Sequence, residues 1–113
     1  MGASLNDRDA YGQTALHYAV CHHDALSLVS VLVESGAQID ADRRDGWTPL
    51  HLAAMLNKCD VALKLMEFGA DIDAKDDNGK TAEDVAKAFK NHRIADVLHR
   101  YNSIKIIYLV MLY

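Results

Sequence analysis

His17, Cys21 and His22 fall within two turns of helix, and His17 and Cys21 are four residues apart, a spacing that sets both on one helix face. Imidazole and thiolate are ligands that suit zinc, and His23 and His51 are further donors within the same stretch of repeat. A second group, Asp71, Asp73, Asp76 and Asp77, offers the carboxylates that calcium takes. Neither group has the spacing its metal needs. Cys21 and Cys59 form no CxxC-type pair, and the acidic run lacks a twelve-residue loop closed by Glu. No metal and no cofactor is therefore expected. With Lys75 and Lys80 beside it, the acidic run reads as a solvated edge, or, in a functional version, as a contact surface for a basic ligand. Covalent and phosphoryl chemistry fare no better. The chain holds no Gly-rich phosphate loop, no serine in an elbow motif and no HExxH, and no acid, base and nucleophile stand together. An enzyme is not expected.

The totals point the same way. A chain of 113 residues makes one domain with a modest core. Half of its residues are hydrophobic and a quarter charged, the balance of a soluble globular protein. Twelve basic against 16 acidic residues leave a net charge of −4, which argues against nucleic acid, whose phosphates demand an excess of Lys and Arg. Two cysteines are too few for a disulfide framework, and free thiols suit a reducing compartment, so the cytoplasm is expected, or the nucleus. The opening Met1-Gly2-Ala3-Ser4-Leu5-Asn6 lacks the basic and apolar regions of a signal peptide, and Asn6 stands where a myristoylation signal has Ser or Thr. Ile104 to Tyr113 is the one long apolar run, and it is too short to span a bilayer as a helix.

The elements that must position these residues come in repeats. Gly12-Gln13-Thr14-Ala15-Leu16-His17 matches Gly46-Trp47-Thr48-Pro49-Leu50-His51 and then Gly79-Lys80-Thr81-Ala82-Glu83-Asp84, the threonines lying 34 and 33 positions apart. Gly36-Ala37-Gln38-Ile39-Asp40 and Gly69-Ala70-Asp71-Ile72-Asp73 keep the same beat, as does Gly2-Ala3-Ser4-Leu5-Asn6. Tyr11-Gly12, Asp45-Gly46 and Asn78-Gly79 are turn dipeptides in which Gly takes a positive φ. Thr14, Thr48 and Thr81 stand where a side chain caps a new helix, and Pro49 sits at a first helical position. Apolar residues then recur at helical spacing, Leu50, Ala53 and Ala54 in one helix, Val61, Ala62, Leu65 and Met66 in the next. Gly36 and Gly69 close the second helices with left-handed caps. Each unit is thus turn, helix, short loop, helix, turn.

This pattern resembles the ankyrin repeat family from Gly2 to about Tyr101, most closely in Thr48-Pro49-Leu50-His51-Leu52-Ala53-Ala54 followed by Gly69-Ala70. The resemblance implies an all-α solenoid of helix-turn-helix pairs stacked with β-hairpin-like turns, the repeats covering about 9–41, 43–74 and 76–103, with 1–8 as the tail of a preceding repeat. On that reading the chain is the C-terminal part of a longer array, or a product that has lost its N-terminal cap, and the polar Glu83, Asp84, Lys87, Lys90, Arg93 and Asp96 close it. Two departures carry expectations. One extra residue near His22-His23-Asp24 should bulge the first inter-helix loop, and Arg43, where the other turns have Asp9 and Asp76, should disturb the hydrogen bonding of its turn. At the family's fixed His position, His17 and His51 are structural groups linking a helix start to the adjacent turn rather than ligands.

The family's activity, carried over by resemblance, is recognition of another protein through a concave face made of turn tips and first helices. The contact candidates are Arg8, Ala10, Tyr11, Gln13, Cys21 and His22 in the first repeat, Asp42, Arg44, Asp45, Trp47, Met55 and Leu56 in the second, and Lys75, Asp77, Asn78, Lys80 and Phe89 in the third. Trp47, between turn Gly and capping Thr, is expected to project into solvent as an interface anchor, the bland alternative being a ring laid on the neighbouring turn near Gln13 or Lys80. Met55 and Leu56 read equally as core or as an apolar strip beside it, and Tyr11 and Phe89 share that ambiguity. Two other roles compete with free-standing recognition: a regulatory or targeting segment of a larger enzyme or channel, and a spacer within a longer array. The run from Ile104 to Tyr113 begins where the repeat phase calls for a helix-ending Gly-Ala. As ten residues rich in β-formers it either folds back over the last helix pair, pairs with a partner, or reflects how the coding sequence was drawn.

Overall fold

A computed structural model describes residues 4–112. Gly2 and Ala3, assigned to the end of a preceding repeat, and Tyr113 at the end of the tail lie outside the described residues. The described residues form six helices and no strand: α1 (Ala15–Cys21), α2 (Ala25–Glu34), α3 (Pro49–Met55), α4 (Cys59–Glu67), α5 (Ala82–Ala88) and α6 (His92–Leu112). They pair as α1/α2, α3/α4 and α5/α6, and first helix packs on first helix, α1 on α3 on α5, while second helices follow in the order α2, α4, α6. Each repeat therefore touches its neighbours alone, the one-dimensional stacking of a solenoid.

One apolar core runs through the stack, from Leu16, Val20 and Val29 through Leu50, Leu52, Val61, Leu65 and Met66 to Val85, Ile94 and Leu98. Alanines at Ala53, Ala54, Ala62 and Ala86 are fully enclosed, and their small side chains let the helices of adjacent repeats approach closely. Thr14, Thr48 and Thr81 are the N-caps of the first helices, all with extended backbone. Gly36 (φ 103°) and Gly69 (φ 94°) end the second helices in the left-handed region, as their positions predict.

Two expectations are corrected by the fold. The loop between helices has the same length in every repeat, residues 22–24, 56–58 and 89–91, and the extra residue of the first repeat lengthens α2, which has 10 residues against 9 in α4. What differs is loop shape. Asn57 (φ 58°) and Lys90 (φ 60°) are left-handed, whereas His22 is extended. The tail is the second correction. It neither folds back nor adopts a strand: α6 runs unbroken through Asn102 and Ser103 to Leu112, because no glycine stands there to turn the chain. Side chains 103–112 are exposed. No described helix is long and apolar enough to cross a membrane.

Candidate protein-binding face

The turns before the first helices share one backbone plan. Asp9, Arg43 and Asp76 each donate an N–H to the carbonyl four residues on, and Gly12, Gly46 and Gly79 each donate back to the carbonyl of that first residue. Asp9 Oδ1 accepts from the N–H groups of Tyr11 and Gln13, and Asp76 Oδ1 from those of Asn78 and Lys80, at 2.8–2.9 Å. Arg43 cannot do this. The backbone turn survives nonetheless, because Asp45 takes over: its Oδ1 accepts from Trp47 N–H at 3.0 Å, and Arg43 grips the same carboxylate through Nε and Nη2 at 2.9 Å. The expected disturbance is thus confined to the side chains.

Adjacent turns are then joined to one another. Arg44 N–H donates to Tyr11 C=O and Asp77 N–H to Asp45 C=O, both at 3.0 Å, so the tips line up across the three repeats. The approach is too close for a side chain at the first two turn glycines. A Cβ on Gly46 would stand 2.7 Å from Asp77 N, and one on Gly12 2.9 Å from Arg44 N. Arg8 reaches along the row as well, donating to the carbonyl of Asp42 and lying 3.7 Å from its carboxylate.

The two buried histidines tie each helix start to the next turn. His17 Nδ1 accepts from Thr14 N–H at 3.1 Å while Nε2 donates to Trp47 C=O at 2.9 Å. His51 does the same between Thr48 N–H and Lys80 C=O. A carbonyl can only accept, so both rings are held as the neutral Nε2–H tautomer with both nitrogens committed. Burial lowers the His17 pKa, against the opposing pull of the Trp47 carbonyl and reinforced by Arg43 and Arg8. Asp84 fills the same position in the last repeat. Its carboxylate accepts from Thr81 N–H at 3.1 Å, which holds its own pKa down, but it has no donor to send onward. Among the described residues no three His, Cys, Asp or Glu side chains converge on a metal position, and Cys21 and Cys59 are free thiols.

Trp47 does not project into solvent. Its ring is half buried, 6.0 Å from the His51 ring and nearly parallel to it, with the Arg43 guanidinium 5.1 Å from the ring centre. Its indole N–H donates to Asp76 Oδ2 at 2.9 Å. The ring therefore bridges the second turn to the third, the alternative in which it packs on a neighbouring turn. That bond, with those from Lys80 and Asn78 N–H, keeps the Asp76 pKa low despite the desolvation that acts most strongly in the other direction.

The remaining candidates divide into three groups. Tyr11, 68% exposed, forms with Gln13, Arg44, Asp45 and the unforeseen Arg43 a shallow depression of about 310 Å³. Phe89, 53% exposed, joins Trp47 and Lys80 in a second hollow one repeat on, with Asp76, Lys87 and Val85. Asp42, Lys75, Asp77 and Asn78 are exposed along the turns, and Ala10, Cys21 and His22 on the first repeat. Met55 belongs to the core boundary, whereas Leu56 is exposed. A pair of positions in the inter-helix loops escaped the sequence: Lys58 Nζ donates to the carbonyls of Val20 and His22, and Asn91 Nδ2 to those of Ala54 and Met55, at 2.7–3.0 Å. Each satisfies the open C-terminal end of the first helix in the preceding repeat. Their recurrence 33 positions apart was the available signal.

Comparison with known proteins gives the same architecture. A family model described as ankyrin repeats (3 copies) matches residues 1–76 and 27–107. An ankyrin repeat protein of Fowlpox virus (strain NVSL) is 35% identical over 103 residues, 86% of this chain and 30% of its own length. Protein phosphatase 1 regulatory subunit 27 of Mus musculus is 40% identical over 82 residues, 73% of this chain and 53% of its own. Neurogenic locus notch homolog protein 2 of Homo sapiens is 38% identical over 91 residues, 80% of this chain but 4% of its own. The chain thus spans about half or less of the length of these relatives. With threonine-capped helix pairs, histidine bridges and close-set glycine turns recurring in phase, and a family model covering most of its residues, this chain is a member of the ankyrin repeat family.

Proposed function

We propose that the chain is a non-catalytic recognition module that binds a partner protein through the face formed by its turn tips and first helices. The observation that carries this reading is the row of tips locked by the Arg44–Tyr11 and Asp77–Asp45 backbone bonds. That lattice fixes the spacing of exposed Tyr11, Arg44, Asp45, Asp77 and Asn78 before any partner arrives, so little conformational freedom is lost on binding. Tyr and Arg are the residue types enriched in interface hot spots, and here they edge a shallow depression rather than a deep cleft. Trp47 supports the face from below rather than anchoring a partner. The free thiols favour a reducing compartment, the cytoplasm or nucleus.

Capture of partners from a cell extract by the full chain, compared with a Tyr11→Ala/Arg44→Ala variant, tests the proposal. A partner lost from the variant while its melting temperature stays unchanged supports it. Equal capture by both proteins sinks it, as does loss accompanied by unfolding in the second pair Asp77→Ala/Asn78→Ala and the first alike. The likeness to a phosphatase regulatory subunit favours a version in which the captured protein is an enzyme under control, and mass spectrometry of the same eluate reads that directly.

A further inference from the structure

The two hollows of the binding face are each walled by two consecutive repeats of the described chain, and they differ in charge. In the first, the one carboxylate is already spent: Asp45 accepts from Trp47 N–H and grips the Arg43 guanidinium through two bonds at 2.9 Å. Arg44 beside it is exposed, and among the described residues its guanidinium has neither an ion pair nor a hydrogen bond. What this hollow leaves unmet is a planar cation with five N–H donors. The second hollow, one repeat on, has Trp47, Val85, Ala88 and Phe89 in its walls. Its acids are committed within the chain. Asp76 receives three N–H groups, one of them the Trp47 indole, and Asp84 receives Thr81 N–H. Lys87 is paired with Glu83 at 2.8 Å, while Lys80 has no ion pair among the described residues. Asp42 and Asp77, exposed along the turns, line neither hollow.

We propose that the two hollows are subsites for one extended acidic segment of a partner protein, with a carboxylate on Arg44 and a large apolar side chain between Trp47 and Phe89. This rests on the turn face being the partner-binding surface, and adds the chemistry of what binds there. Charge complementarity chooses the occupant. A free guanidinium takes a carboxylate through two parallel N–H bonds, whereas a basic segment brings like charge to Arg44 and Lys80. The second hollow offers aromatic and aliphatic walls and no uncommitted carboxylate, which suits a ring or a branched aliphatic side chain. Spacing follows from the stack. Successive turns are one helix-packing step apart, about 10 Å, and an extended chain rises about 3.3 Å per residue. About three residues cover that step, but side chains alternate, so an acid and an apolar residue on one side of the segment stand about four apart. The Arg44–Tyr11 and Asp77–Asp45 backbone bonds hold both hollows in register before binding.

A phage-displayed library of random peptides, panned on the full chain, is the probe. The enriched peptides should share an Asp or Glu about four residues from an aromatic or branched aliphatic residue. Panning on Arg44→Glu should exchange that acid for Lys or Arg and keep the apolar residue. Panning on Phe89→Ala should do the reverse, keeping the acid and relaxing the apolar choice. In fluorescence anisotropy, a selected peptide should bind Arg44→Ala about tenfold more weakly or worse, the worth of one charge-assisted pair, and should weaken as salt is raised. Far-UV circular dichroism and melting identical to the parent confirm that the variants fold, and Ala88→Glu, which puts a charge into the second hollow, serves if Phe89→Ala does not. Enrichment of basic peptides, enrichment without an acid, no enrichment, or an acid preference that survives in Arg44→Glu overturns the proposal. The recognition reading outlives any of these results if Tyr11→Ala/Arg44→Ala still loses the partner captured from extract. Capture unchanged in that variant sinks both.

Discussion

Trp47 shows how one side chain can be misplaced by its neighbours in sequence and placed by its neighbours in space. Between a turn glycine and a capping threonine it has no apolar company along the chain, yet the third turn brings Asp76 to its indole N–H and the helix below brings His51 to its face. Trp47→Phe keeps the stacking and loses the hydrogen bond, an expected cost of about 1 kcal/mol. Trp47→Ala also loses half-buried ring surface and should cost about 1–3 kcal/mol by denaturant melting, below the value for a fully enclosed Trp. His17 carries a second prediction at this scale. Its folded-state pKa is lowered from 6.5 by burial, so the unfolded chain takes up a proton that the folded chain refuses. Stability should therefore be complete above about pH 6.5 and fall as the pH drops through that value. His17→Gln, titrated by thermal melting from neutral pH to about pH 5, should start lower and show a shallower acid slope. An unchanged slope would remove His17 from the account.

The turn is the element in which stacking and conformation meet. Gly46 and Gly79 have nearly the same backbone, φ 84° and 76°, but different surroundings. A Cβ at Gly46 meets the backbone of Asp76 and Asp77, whereas at Gly79 it meets nothing within 4 Å, since no fourth turn follows among the described residues. Gly79→Ala should cost only the left-handed penalty, about 1–2 kcal/mol. Gly46→Ala must also push two turns apart, and is expected to cost more than about 3 kcal/mol while straining the row of tips. Equal melting temperatures for the two variants would show that the turns are not held as closely as 2.7 Å implies.

At the scale of the molecule, stability is a sum over repeats and junctions, so the same truncation has different reach in different places. Leu50 is enclosed in the middle repeat, with a neighbour on each side, and Leu50→Ala should cost about 2–5 kcal/mol and lower one cooperative transition. Leu98 is as well buried but lies in the last repeat, which among the described residues packs on the middle repeat alone, α5 on α3 and α6 on α4. Leu98→Ala should release that repeat first, broadening the transition, and hydrogen exchange should speed up in α5 and α6 before α1 and α3. Uniform exchange along the chain would argue for a single indivisible unit.

The sequence by itself determined the repeat, because its markers are local: Thr14, Thr48 and Thr81 cap helices that begin with the next residue, and Gly36 and Gly69 end helices by their own φ. It also carried the bridging role of His17 and His51, through the resemblance that their phase supports. The end of α6 was misread because no local stop exists at Asn102 and Ser103 and β-forming side chains still propagate a helix already begun. Only the tertiary structure decided what happens between repeats. Trp47 on Asp76, Asp45 taking over for Arg43's missing carboxylate, and Lys58 and Asn91 capping the preceding helix all join residues from different turns or repeats, or reassign a role within one turn. Most are distances across a stack, set by how closely glycine turns and alanine-faced helices approach, and that closeness is a property of the assembled repeats rather than of any segment of the chain.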